Sequence, residues 1–176
     1  MKKMISGVTV ECIKGNIAAL EGIDAVVNAA NAQLRTGGGV AGAIHRAAGP
    51  GLERECRPLA PIKTGEAVIT GAHNLPNRHV IHCLGPVYGV DKPEAELLGS
   101  CYRNALRLAE EKKLESIAFP AISTGIFGYP IVEAAEVSLQ TVISMIPELQ
   151  SVKRVIFVLH NDQDLAVHEQ MLERLT

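Results

Sequence analysis

The chain has no tryptophan and only three phenylalanines and three tyrosines in 176 residues, so Ala, Val, Ile and Leu carry most of its 47% apolar content. Small branched side chains in that proportion suit a sheet buried between helices. One domain of this length can bury a full core without disulfides or metals. Cysteine is sparse too. Cys12, Cys56, Cys83 and Cys101 are scattered with no CxxC pair, which argues against a zinc finger or a dithiol redox site and predicts reduced, buried thiols. There is no excess of positive charge: the formal net charge is -2 and the pI about 6.3. Duplex nucleic acid is therefore not expected as a partner, and a small ligand is. No apolar run approaches the ~20 residues of a membrane span. The opening MKKMISGVTV lacks the apolar stretch of a signal peptide. The expectation is a soluble cytoplasmic protein without a membrane partner.

What the chain does have is alternation of two patterns. Runs rich in β-branched residues predict strands at Gly7–Ile13, Ala25–Asn28, Glu66–Thr70, His79–Cys83, Ser116–Phe119 and Lys153–Leu159. Between them, helices are expected at Val40–Ala48, Leu52–Cys56, Glu94–Lys112, Ile131–Ile146 and Asp164–Leu175. In the third of these, Leu97, Leu98, Tyr102, Ala105, Leu106 and Ala109 recur at spacings of three and four, as in a helix lying on a sheet. The alternation predicts an α/β fold, a three-layer α/β/α sandwich with a mixed, mostly parallel sheet, in a single domain over residues 1–176. Ligands of such sheets bind at the loops leaving the carboxyl ends of the strands.

Two of those loops carry chemistry. Asn28–Gly42 contains Gly37, Gly38 and Gly39 running into a helix near Val40. Glycines let backbone N–H groups close on an anion, and the helix amino end adds its dipole. A phosphate or diphosphate site follows. Gly37, Gly39 and Gly42 also satisfy GxGxxG, but Ala29–Thr36 separates them from the strand and no acid ends a strand ~20 residues on, so a nicotinamide site is not expected. The second loop, Pro120–Tyr129, gathers Ser123, Thr124, Gly125, Ile126 and Gly128 ahead of a helix beginning near Pro130, a second anion nest with Phe127 at its tip. His73, His79, His82 and Cys83 do not suggest a metal site. His79 and His82 lie an odd number of residues apart on one strand and point to opposite faces.

Together with GNI at Gly15–Ile17 and LHND at Leu159–Asp162, the segments NAAN, GGGVAGAIHRAAG, GEAVIT, HCLGP and FPAISTGIFG resemble the macrodomain family over nearly the whole chain. The resemblance implies the same three-layer fold and names the ligand: ADP-ribose, free or attached to a protein or an acetyl group, with no cofactor and no metal. It implies that Asn16, where the family usually carries aspartate, and Ile17 meet adenine. It places His160 where relatives stack an aromatic, followed by Asn161. Asn28 and Asn31 match the family's NAAN as ligand-binding candidates, the second implied to contact the distal ribose, with bracing of the turn the alternative for both. Gly37, Gly38, Gly39 and Val40 would hold the diphosphate from one side, and Ser123, Thr124, Gly125, Ile126 and Phe127 from the other. Two residues are candidates for catalysis. Asn31 would sit beside the anomeric carbon, and His45, one turn after Ala41, either moves protons in the cleft or packs inside. Ala41 stands where one hydrolytic branch has aspartate, which removes a general base from that position; viral macrodomains that cleave protein-linked ADP-ribose also carry GGGVAG. The resemblance leaves two functions open: a hydrolase of ADP-ribose esters, or a module that reads ADP-ribose without turnover.

Overall fold

The computed structural model describes residues 1–176. Seven strands form one sheet: β1 (Lys2–Ile5), β2 (Val8–Lys14), β3 (Ala25–Ala29), β4 (Ala67–Gly71), β5 (His79–Cys83), β6 (Ser116–Phe119) and β7 (Arg154–Leu159). Their spatial order is β1-β2-β7-β6-β3-β5-β4. The inner run from β2 to β5 is parallel, while β1 and β4 pair antiparallel at the two edges. Five α-helices, with three short 3-10 turns, complete the chain: α1 (Gly39–Ala48), α2 (Pro50–Cys56), α3 (Glu94–Glu111), α4 (Ile131–Met145) and α5 (Asp162–Leu175).

Period-two alternation divides the strands between two cores. Ala25, Val27, Ile117, Phe119, Val155 and Phe157 face α3, α4 and α5, where Tyr102 joins the two phenylalanines. Val26, Val80, Ala118, Ile156 and Val158 face α1 and α2, against Ile44, Ala48 and Leu52. The sandwich therefore has three layers with a mixed, mostly parallel sheet, as the sequence predicts. Strand β1 was not expected. Its four residues alternate between exposed Lys2 and Met4 and half-buried Lys3 and Ile5, a half-polar pattern typical of an edge strand and too short to stand out. The other elements fall within about two residues of the expected bounds, the usual latitude of element ends. No helix is long and apolar enough to cross a membrane.

Candidate functional site

Because the inner strands run parallel, five loops leave the same edge of the sheet side by side. They enclose a cleft of about 960 Å³. Along it, in sheet order, lie Gly15–Ile17 after β2, Val158–His160 and Asp164 around the end of β7, Pro120–Phe127 after β6, Ala29–Asn31, Gly37–Ala41 and Ala43 after β3, and Gly85 after β5. The two ends of the cleft thus belong to different strands: β2 and β7 at one, β3 and β5 at the other.

At the first end, Gly15 N–H donates to Leu159 O at 2.9 Å and Lys14 Nζ pairs with Asp162 Oδ1 at 3.1 Å, which draws the two chain segments together. Asn16 caps a turn of 3-10 helix at Ile17–Ala19, its Oδ1 accepting from Ala18 N–H at 2.9 Å. It lines the cleft with Ile17 and His160. Asn161 does not line it: its Oδ1 caps α5 by accepting from Asp164 N–H at 2.7 Å.

The glycine loop after β3 is built around Asn31. Its amide donates to Arg35 O at 2.8 Å and its oxygen accepts from Arg35 N–H at 3.0 Å, so the side chain braces the turn from the cleft wall. Leu34, 1% exposed, pins the same turn to the α1 core. Beyond it Gly37, Gly38 and Gly39 are exposed, and with Val40 they line the cleft. Gly38 is the N-cap of α1 and has no side-chain cap. The first-turn N–H groups of α1 have no intrahelical acceptors, and no acid sits in that turn. A local field of positive sign faces the cleft. Gly42 makes this possible by close approach: a Cβ there would overlap the Gly37 carbonyl oxygen.

The opposing loop after β6 turns at Ser123, whose φ of 69° lies in the left-handed region. The Thr124 hydroxyl donates back to Ala121 O at 2.7 Å and Gly128 N–H closes on Gly125 O at 3.0 Å. The N–H groups of Gly125, Ile126 and Phe127 donate to no protein acceptor, and such a turn forms an anion nest. Ile126 is fully exposed on the lip, while Phe127 packs partly against the α1 core. Ser123 Oγ is buried without a partner, against Gly85.

Two expected site residues, Asn28 and His45, lie beneath the cleft and not in it. Asn28 is 0% exposed, as is its neighbour His82. Asn28 Nδ2 lies 3.1 Å from His82 Nδ1, His82 Nε2 lies 3.0 Å from Thr70 Oγ1, and Thr70 Oγ1 donates to Gly71 O at 2.9 Å. The Thr70 proton is committed, so His82 Nε2–H donates to Thr70 and its Nδ1 accepts from Asn28. This neutral thread ties β3 to β5 and to the β4 edge. Burial, with His45 nearby, pushes the His82 pKa down to about 3. His45 is 6% exposed and turns toward His82, ring centres 6.4 Å apart. Its pKa is also lowered by burial, and it lines no part of the cleft, so the packing alternative describes it and the proton-transfer alternative does not. Helix α1 rests its His45 side on the sheet because Ile44, Ala48 and His45 fall on one face, leaving Val40 and Ala43 toward the cleft. Ala41, 5% exposed, also lines the cleft and contributes only a methyl group.

Sequence reasoning missed Gly85 and Asp164. Gly85 stands in the HCLGP segment directly after β5, and its position after a strand end was a signal. Asp164 gave only the weak signal of an acid in a helix first turn. Among the residues lining the cleft, Asp164 and His160 are the ones that can ionise, and both stand at the β2/β7 end.

The fold and the cleft define the class: an α/β/α sandwich in which two glycine-rich, N–H-presenting loops face each other across parallel strand ends. A family model described as Macro domain matches residues 27–138. A macro domain-containing protein of Chlorobaculum tepidum is 50% identical over 170 residues, covering 96% of this chain and 98% of that protein. An O-acetyl-ADP-ribose deacetylase of Klebsiella pneumoniae is 46% identical over 167 residues, covering 92% of this chain and 95% of that protein. A mutant of the Oceanobacillus iheyensis macrodomain, solved with ADPR, matches with a TM-score of 0.95 at 43% identity, covering 99% of this chain and 97% of that one. The chain belongs to the macro domain family.

Proposed function

We propose that this protein, acting as a single domain over residues 1–176, binds ADP-ribose and hydrolyses ADP-ribose esters, namely O-acetyl-ADP-ribose and ADP-ribosylated acidic side chains. The observation that carries the reading is the pair of facing loops, Gly37–Val40 and Ser123–Phe127, in one cleft. A diphosphate between them would be met by backbone N–H groups from both sides. The base would lie at the β2/β7 end beside Ile17 and His160, and the distal ribose at the β3 end beside Asn31. The deacetylase among its relatives, at 46% identity over nearly the whole chain, supports the ester as substrate.

In the hydrolysis, water adds to the ester carbonyl, the ribose hydroxyl leaves with a proton, and the carboxylic acid and ADP-ribose are released. This chain's residues contribute position and field. Asn31 has one amide hydrogen beyond its bond to Arg35 O with which to orient the distal ribose, and the N–H groups of both loops stabilise negative charge. No side chain at the β3 end can act as a general base, since Ala41 offers none and His45 lies beneath the sheet-facing side of α1. Turnover is slow in consequence. The same lack of a base favours a second reading, in which the protein binds ADP-ribosylated proteins without releasing the sugar. Incubation with O-acetyl-ADP-ribose, and separately with a glutamate-ADP-ribosylated protein, decides between them by mass measurement of free ADP-ribose. Release above the spontaneous rate, reduced about tenfold or more in Asn31→Ala at saturating substrate, is the expected result. Tight binding without release leaves the reader function.

A further inference from the structure

The base end of the cleft must meet a donor, the 6-amine of adenine, with an acceptor. At Asn16, the residue the sequence offers, Oδ1 already accepts from Ala18 N–H at 2.9 Å and keeps one lone pair. That oxygen is neutral and shared with the turn it caps, a weaker acceptor than a free carboxylate. The carboxylate of Asp164 lines the same end, on the first turn of α5. Lys14 bridges to Asp162, so these two segments form adjoining walls. The two aspartates differ in their partners. Asp162 is paired with Lys14, whereas Asp164 has no cationic partner; its Oδ2 accepts only from the Asn161 amide, at 3.3 Å. Its Oδ1 makes no hydrogen bond in the protein, and the residue is half-buried. The backbone of Asp164 is held on both sides, its N–H by Asn161 Oδ1 at 2.7 Å and its carbonyl by His168 Nδ1 at 2.9 Å. The carboxylate is thus carried on a fixed turn.

We infer that Asp164 is the specificity-determining acceptor for the exocyclic amine of the base, in place of a carboxylate at Asn16. This rests on the ADP-ribose reading of the cleft. A charged acceptor is roughly twice as strong as a neutral one, and its cost in this cleft is limited by the mid-cleft position of the two N–H nests, which hold the diphosphate away from the β2/β7 end. With Ile17 N–H, which has no protein acceptor, the end would present a donor and an acceptor to the two neighbouring polar positions of adenine.

The test compares ADP-ribose with an analogue whose base is purine lacking the 6-amine, by calorimetry, in wild type, Asp164→Ala, Asp164→Asn and Asn16→Ala. Wild type is expected to prefer ADP-ribose by about tenfold. In Asp164→Ala the preference disappears, both ligands binding as the analogue binds wild type, with circular dichroism unchanged. Asp164→Asn keeps the volume and a neutral acceptor and retains part of the preference, which separates a recognition effect from a folding one. Asn16→Ala retains most of the preference. Equal weakening of both ligands in Asp164→Ala, a preference that persists there, or a preference lost in Asn16→Ala overturns the assignment while leaving the cleft reading in place. Failure of wild type to bind ADP-ribose at all overturns the cleft reading and the assignment with it.

Discussion

Gly42→Ala separates helix stability from loop geometry in one substitution. Gly42 lies inside α1, where alanine is favoured over glycine by about 1 kcal/mol, and on propensity alone the variant would be more stable. The added Cβ, however, overlaps the Gly37 carbonyl oxygen, stands 3.4 Å from the Gly37 carbonyl carbon and 2.9 Å from Arg46 Nη1. The exposed Arg46 side chain can swing away; the carbonyl is backbone and must move by roughly 1 Å to reach ordinary contact. Residues 35–39 are exposed, so the glycine loop yields and the helix does not. The two effects on stability nearly cancel, and the melting temperature should shift by only a few degrees. Binding should suffer more. Displacing the N–H groups of Gly37–Gly39 weakens one or two charge-assisted hydrogen bonds, about 2–4 kcal/mol together, or roughly 30-fold to 1000-fold in Kd. Calorimetric titration with ADP-ribose beside a thermal melt gives both numbers. Unchanged affinity in a folded variant would refute the placement of the diphosphate at this loop. A large stability loss would show instead that the loop is rigid and that α1 gives way.

Gly38→Glu tests the same nest by charge: nothing lies within 4 Å of a Cβ at Gly38, so the fold should persist while a carboxylate at the α1 N-cap abolishes ADP-ribose binding. Retained binding by calorimetry would contradict this. Acid stability has a defined sign. The His82 pKa of about 3 lies below its unfolded value near 6.5, and burial lowers His45 and His168 as well. The unfolded chain therefore takes up protons first, and stability is full above pH ~6.5 and falls as pH drops toward 3. His82 alone contributes about 1.4 kcal/mol per pH unit across that window, on the order of 5 kcal/mol in total. Urea melts from pH 7 to 4 should reveal this slope, and His82→Gln should flatten it; a slope unchanged in that variant would contradict the assignment.

The fold was legible because each buried strand is a run of β-branched residues bounded by breakers, and because the helices carry full amphipathic stripes. The β1 edge was not, since Lys2–Ile5 half faces solvent and owes its place to pairing with β2. In the site, glycines announced backbone geometry, and Gly37–Gly39 and Ser123–Phe127 do meet across one cleft. Side-chain direction was harder to read. Asn28 differs from Asn31 by three residues in NAAN, yet Asn28 lies within β3 and turns into the sandwich, while Asn31 lies in the turn after it. The helical phase of His45 depended on where α1 touches the sheet, which spacing from Ala41 alone does not determine. Asp164 was passed over because a first-turn acid serves the helix dipole equally well.

The order in which the strands stand side by side also acts as a ruler. From β2 through β7 and β6 to β3 there are three steps between neighbouring strands, each about 4.8 Å, so the two ends of the cleft are roughly 14 Å apart. A mononucleotide resting by Ile17 stops short of the glycine loop after β3. A molecule long enough to reach both ends delivers its second half at the high effective concentration created by the first. Selection for length is thus set by the hydrogen-bond spacing of the sheet, a quantity that no single side-chain substitution can alter.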